Sequence, residues 1–532
     1  MNRFTNPVLN MSKEFRISFI VLCITFAIAS LAMLTHSAGV DRTIDAQMTR
    51  YAFEFLEAIT DGPFNTFLFS VRKYTLLPSV LLGFLYGGVV GFKLLIGSIP
   101  SIADIPAYLF GTPVAINIVG RLFTLGAGIL TIVLTFLTSK KLFPKVSPLY
   151  AVSLLLSSLL FLTYITAVRP HVLVTAMIML TLFTSIRFTE KRTNLRGFMA
   201  FGSAGLAFCT LQSGFFAIIF PLWAYLFLAY LFKGNRIRWR GLCEKKLWGF
   251  GLFFFVFSII LGYPFVLAPF FGADAVFGLD LGHDQMGLSS WSGEGFINIK
   301  RAFLGSEIFL ALFAIAGAWQ IWKSKKLPQG LLLAVYAFVL IYFIVFGLYA
   351  DTGIRFFIPT LPLLALIGAG ALAASPRHIK MLFVLCVLAI HLKFAFLAIQ
   401  PNTYEVASNF VQKETTGTVA TDLPVYFLGI PQTRASIGSP SMAREHYIAG
   451  LSEDLSGARD IISYEELDKA EVFIKRTEQG IENLEPEWEI CKYTSQSPTY
   501  GEGLLWSDVY YSMYWLFRIE RLGPSIAVYC RA

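Results

Sequence analysis

LLPSVLLGFLYGGVVGFKLLIG, residues 76 to 97, is apolar enough to span a membrane but carries Gly83, Gly87, Gly88 and Gly91. Its reading decides the sidedness of everything after it. If it crosses, Lys140 and Lys141, with the basic loops after them, end up outside, opposite Lys13 and Arg16. If it does not, one side collects Lys13 and Arg16, Lys140, Lys141 and Lys145, the Arg187–Arg196 group, the Lys233–Lys246 group, Lys323–Lys326, and Arg377 with Lys380. Lys and Arg in short loops mark the cytoplasmic side. The segment is therefore expected not to cross, as a re-entrant or surface-lying hairpin, with the N-terminus cytoplasmic and the C-terminal region outside.

Composition sets the class. Of 532 residues, 56% are hydrophobic and 14% charged, where soluble domains carry about 25% charged residues. About eleven stretches reach the roughly 20 apolar residues a span requires: 17–35, 114–137, 147–165, 171–188, the tight pair 198–211 and 213–231, 247–268, 304–322, 328–348, 356–374 and 381–399. The expected fold is an α-helical polytopic protein of the inner or plasma membrane, residues 1–399, with a small extracytoplasmic α/β domain at 400–532. The net charge of +9 lies between apolar spans, which argues against nucleic acid and for a positive-inside pattern. The first apolar run lacks a signal-peptide cleavage pattern and reads as a retained anchor.

Polar residues gather on the outward loops. In DAQMTRYAFEFLEA, residues 45–58, apolar positions Met48, Tyr51, Ala52, Phe55, Leu56 and Ile59 follow helical spacing. That predicts an amphipathic helix on the membrane, within a first outer loop covering 36–113. Asp45 at its start is either an N-cap or a general base held at the interface, with Asp41 the second candidate. Arg72 and Lys73 lie outward, against the positive-inside rule. They fit either lipid headgroups or a phosphate site for a lipid-linked substrate. Arg169 and Arg355 head helices on the same side, and four cations around one cavity favour an anionic ligand. His171 follows Pro170 at a helix start. His283, Asp284 and Gln285 sit in the Gly/Ser-rich loop 282–295, and His391 and Lys393 either snorkel outward or line the cavity. No cysteine has metal-ligand spacing. In the tail, Cys491 and Cys530 are either bridged or two separate buried thiols.

Taken in order, four stretches resemble the GT-C fold of polyprenyl-phosphate-dependent glycosyltransferases, whose relatives include protein O-mannosyltransferases and the aminoarabinose transferase of lipid A. They are DAQMTRYAFEFLEA (45–58); RKYTLLPSVLLGFLYGG (72–88) followed by INIVGRLFTLGAGILTIVLTFLTSKKLFP (116–144); GLAFCTLQSGFFAIIFPLW (205–223); and IRFFIPTLPLLALIGAG (354–370). The sequence departs from the family pattern at Ala46, at Gln212-Ser213, and in a second outer loop without an acid. The resemblance implies a sugar moved from a polyprenyl phosphate to a hydroxyl of a glycan, lipid or protein, with inversion. Asp45 would be the base, Lys73, Arg72, Arg355 and Arg169 the phosphate ligands, and 282–295 with His171 the acceptor or lid element. No cofactor is required, though a divalent metal is admissible. The other classes kept open are a transporter or flippase of lipid-linked anions and a glycan polymerase or ligase.

Overall fold

The computed structural model describes residues 13–35, 52, 55, 56, 59, 70–71, 75–101, 113–226, 245–271, 276–277, 291–323, 330–349, 353–421, 461–476, 488–494, 513–522 and 525–531. Sixteen helices are labelled here. Among them α1 is Lys13–Thr35, α2 Leu76–Leu95, α3 Pro113–Leu142, α4 Leu149–Leu156, α5 Leu159–Tyr164, α6 Pro170–Glu190, α7 Asn194–Thr210 and α8 Ile219–Leu226. Then follow α9 Lys245–Gly262, α10 Gly295–Arg301, α11 Ile308–Lys323, α12 Leu331–Leu348, α13 Leu361–Ala374, α14 Arg377–Ile399, α15 Thr403–Glu414 and α16 Met513–Leu516. Eight helices among the described residues are long and apolar enough to cross a membrane, nine if the bent pair around Glu307 counts as one span. This is a multi-span membrane protein. The stretch 147–165 falls outside that count because it breaks at Ser157–Ser158 into α4 and α5.

The bundle has two distinguishable ends. At one, Lys141 meets Glu190 at 2.6 Å and Arg377 meets Glu14 at 3.4 Å. Lys380 and Phe15 both lie on the Tyr150 ring, at 5.2 and 4.8 Å. The starts of α1, α4 and α14 and the ends of α3 and α6 are therefore neighbours. At the other end, Arg121 Nη1 donates to the Met33 and Leu34 carbonyls at 3.3 and 3.4 Å. The chain leaves α1 and re-enters α3 at that same end, so α2 as a lone crossing between them is incompatible with these contacts.

The hairpin expected at 76–97 is replaced by one continuous helix, α2, of 20 residues, about 30 Å long. Its glycines bend nothing. A Cβ on Gly83 would stand 2.6 Å from the Phe55 ring and 3.0 Å from the Ala52 carbonyl, and one on Gly87 would stand 3.1 Å from Leu56. Residues 52, 55, 56 and 59 are helical, and Ala52 and Phe55 are buried. Gly83 and Gly87 make a flat face for Ala52, Phe55 and Leu56, while Gly88 and Gly91 face no neighbour among the described residues.

The tail forms a five-stranded sheet from β3 Val419–Thr421, β4 Ile461–Ser463, β5 Val472–Arg476, β6 Trp488–Thr494 and β7 Ile526–Arg531, in the order β4-β3-β5-β7-β6. Strand alternation sends Val472, Ile474, Ile526 and Val528 under α15 and Phe473, Ala527 and Tyr529 to the other face. Asn402 and Glu405 close a reciprocal capping box at the start of α15. A bulge at Ile490/Lys492 sets Cys491 beside Cys530, and the two form a disulfide with Cα atoms 5.8 Å apart. The segment after β6 returns to the bundle. Leu516, Ile519 and Leu522 are buried in the bundle's core, and Lys393 Nζ donates to the Ile519 carbonyl at 2.9 Å. Lys393 thus anchors the tail.

Candidate active site

Pro170 at the first turn of α6 has no N–H to leave unsatisfied and starts the helix. Arg169 before it is extended, with φ −130° and ψ 150°, which turns its side chain into the bundle. Only 4% of Arg169 is exposed, and its guanidinium carbon lies 5.4 Å from the centre of the buried Tyr164 ring. His171 is 1% exposed and packs edge-on against Phe356 at 5.5 Å. Neither of its ring nitrogens has a hydrogen-bond partner among the described residues. Arg355, half-buried, sits 5.2 Å over the same Phe356 ring. Both guanidiniums lie within electrostatic reach of the His171 ring.

Arg355 belongs to a 3-10 turn, Ile354–Thr360, that precedes α13. Tyr342 holds this turn by donating to the Phe356 carbonyl at 2.7 Å. Phe346 packs on Phe356 at 5.4 Å, and Phe216 packs on Tyr342 at 5.6 Å. Phe216 lies in the 3-10 turn Gln212–Ile218, so the LQS and IRFFIP stretches meet through aromatic rings. Tyr86 of α2 reaches the same end: a Cβ on Gly120 would stand 2.7 Å from the Tyr86 hydroxyl and 2.8 Å from Val168, next to Arg169.

Three predicted residues are therefore brought together: Arg169, His171 and Arg355. They sit at the bundle end opposite the Lys141–Glu190 and Arg377–Glu14 pairs. Asp41, Asp45, Arg72, Lys73, His283, Asp284 and Gln285 lie outside the described residues. The two short strands β1 (Ser70–Val71) and β2 (Val276–Phe277) pair in parallel. The backbone just before Arg72 is thus tied to the backbone shortly before the 282–295 loop.

Buried charge inside a membrane bundle is costly and marks ligand or ion sites. Guanidiniums match phosphate oxygens with paired, charge-assisted hydrogen bonds, so the cluster suits an oxyanion. No group of three or more metal-ligating side chains occurs among the described residues.

His391 neither snorkels nor lines this cluster. It is 1% exposed and bonds Thr25 at 3.0 Å and the Leu156 carbonyl at 2.9 Å. Sequence reasoning passed over Arg121, which ties α1 to α3, and Tyr164, the ring beneath Arg169. It also passed over Glu307, a lone carboxylate in the apolar stretch FLGSEIFLALF. The signal for Glu307 was present, because an ionisable residue inside a span is a functional candidate by default.

Residues 101–263 match the family model described as dolichyl-phosphate-mannose-protein mannosyltransferase. Among solved structures, the chain is similar to ArnT from Cupriavidus metallidurans bound to undecaprenyl phosphate, with 11% identity and a TM-score of 0.51, over 88% of this chain and 94% of that one. The apo state of ArnT matches with 13% identity and a TM-score of 0.43, over 82% and 75%. Archaeal oligosaccharyltransferase AglB from Archaeoglobus fulgidus, in complex with an inhibitory peptide and a dolichol-phosphate, matches with 12% identity and a TM-score of 0.41, over 87% and 70%. No curated protein matches the sequence. The fold is GT-C, as the four sequence stretches implied.

Proposed function

We propose that this protein is a membrane glycosyltransferase that moves a sugar from a polyprenyl phosphate to an acceptor hydroxyl outside the cytoplasm. The observation that carries the reading is the pairing of buried Arg169 with Arg355 around His171, at the bundle end away from the Lys/Arg-rich loops. By the positive-inside rule the Lys/Arg-rich end is cytoplasmic. The N-terminus then lies inside, and residues 36–112 and the tail lie outside. The Cys491–Cys530 bridge suits an oxidising compartment. In this reading residues 1–399 form the transfer domain and 400–532 an extracytoplasmic domain seated on it.

The reaction has one bond to make and one to break. The acceptor oxygen attacks the anomeric carbon while the Asp45 carboxylate takes its proton, with Asp41 the second candidate. The bond from the anomeric carbon to the phosphate oxygen breaks, and the phosphate leaves with the electron pair. Arg169, Arg355, Lys73 and Arg72 stabilise the charge gained there. Attack opposite the leaving group inverts the anomeric centre. The 282–295 segment, with His283, Asp284 and Gln285, covers the acceptor together with His171 and excludes water that would hydrolyse the donor.

A strain lacking the protein tests this. Its polyprenyl-phosphate sugars should accumulate and one surface glycan, lipid or protein should lose a sugar, both reversed by the intact gene and neither by an Asp45→Asn copy. Full rescue by Asp45→Asn would favour a transporter of lipid-linked anions instead.

A further inference from the structure

In an unbroken helix the Leu160 N–H would donate to the carbonyl of Leu156, four residues back. The break between α4 and α5 at Ser157–Ser158 removes that bond deep in the bundle, where a backbone group has no water to turn to. Both orphans are taken up by side chains distant in sequence. The Leu160 N–H donates to Glu307 Oε1 at 2.8 Å. The Leu156 carbonyl accepts from His391 Nε2 at 2.9 Å, while His391 Nδ1 faces the Thr25 hydroxyl at 3.0 Å. Ser158 caps the next amide, Phe161, at 2.9 Å.

Glu307 is fully buried, at a 102° bend where the π-turn Ala302–Ser306 meets α11. It lies on two lines to the candidate site. Through Leu160 it fixes α5, which ends in Tyr164, the ring under the Arg169 guanidinium. Through the π-turn it fixes Phe303, which packs on Phe357 at 6.0 Å, two residues from Arg355.

We propose that Glu307 is a positioning residue: with His391 it splices the hydrogen bond broken between Leu156 and Leu160, and so holds Arg169 and Arg355 at the spacing that receives a phosphate. The inference rests on the proposed role of those arginines as phosphate ligands. Because only an acceptor oxygen is needed toward Leu160, Gln can replace Glu307 and Ala cannot.

The test uses the full-length protein in detergent, as wild type, Glu307→Gln, Glu307→Ala and Tyr164→Leu. Hydrogen exchange is followed in peptides covering 159–171, and undecaprenyl phosphate binding is titrated. Glu307→Ala should exchange faster across 159–171 and bind the lipid roughly tenfold to hundredfold more weakly, the cost of a misplaced charge-assisted contact. Glu307→Gln should restore both. Tyr164→Leu should weaken binding while leaving exchange at Leu160 protected, and it carries the test if Glu307→Ala does not accumulate. Unchanged exchange and binding in a folded Glu307→Ala, a Glu307→Gln as impaired as Ala, or full lipid binding by Tyr164→Leu would each overturn the proposal. Faster exchange in Glu307→Ala with no lipid binding by any form, wild type included, would support the splice and count instead against the transferase reading.

Discussion

The same residue types serve opposite purposes at the two ends of the bundle. At the Lys/Arg-rich end the charged side chains are more than a third exposed: Lys141 and Glu190 at 40% and 37%, Arg377 and Glu14 at 77% and 51%. At the opposite end Arg169, Arg121 and His171 are exposed by 4%, 5% and 1%. Exposed pairs keep their water and contribute little to stability, so their number and side carry topological information and little else. Buried cations have lost that water and must recover the cost from partners or from a ligand. Arg121 recovers it from the carbonyls at the end of α1. Arg169 leans on Tyr164 and stands, with Arg355, beside a histidine whose nitrogens bond nothing among the described residues. Burial, not residue type, separates a charge that orients the chain from one that can do chemistry.

That contrast can be broken experimentally. The largest effect is expected at the outer loop. Asp45→Asn, which caps a helix about as well as Asp, should lower transfer by about 10²- to 10⁴-fold while the protein still inserts and folds. Asp41→Asn should be milder, and transfer rates of the two purified variants decide which carboxylate is the base. Full activity in both would remove the general base from this loop.

Next in size are the cations assigned to the donor phosphate. Arg169→Gln should weaken use of the lipid-phosphate donor by roughly tenfold to hundredfold, one charge-assisted contact's worth, seen as a raised donor KM. Lys73→Ala should act in the same direction. If Arg169→Gln transfers normally, the buried end loses its distinction from the exposed one.

The disulfide should matter to the tail and not to the chemistry. Cys491 and Cys530 are 39 residues apart, and opening such a loop costs about 2–4 kcal/mol. Cys530→Ser should therefore show earlier proteolysis of the tail sheet with transfer largely kept. Mass spectrometry of non-reduced protein that finds both thiols free would refute the bridge.

Smallest of all should be Lys141→Ala and Arg377→Ala, each below about 1 kcal/mol and without effect on transfer. The matching topological measurement is thiol labelling of single cysteines at 142–146 in intact cells. Labelling from outside would exchange the two ends and overturn the assignment of sides.

Much of the helical frame was legible because membrane burial writes itself into composition. A span must satisfy its backbone internally and face lipid with apolar side chains, so runs such as 328–348 and 381–399 announce α12 and α14. The start at Pro170 was readable from local chemistry, and the tail was legible as a small α/β domain. Arg169, His171 and Arg355 were found as polar residues in the wrong place. The glycines of α2 misled, because Gly permits a bend and also permits close packing. Only the partner, here Phe55 and Leu56, tells which.

Sequence alone determined the membrane class, most of the apolar helical stretches, the side that gathers basic loops, and the two cysteines of the tail. These follow from each residue's own preference for water, lipid or an extended backbone, which neighbours in sequence report. Tertiary structure decided what depends on distant partners. It turned 147–165 into two helices joined through Glu307 and His391, made Lys393 an anchor for Ile519, and closed Phe356 between His171 and Arg355. Hydrogen bonds and ring contacts have ångström range and no sequence range. A partner 147 residues away, as Glu307 is from Leu160, leaves no mark near the helix it completes.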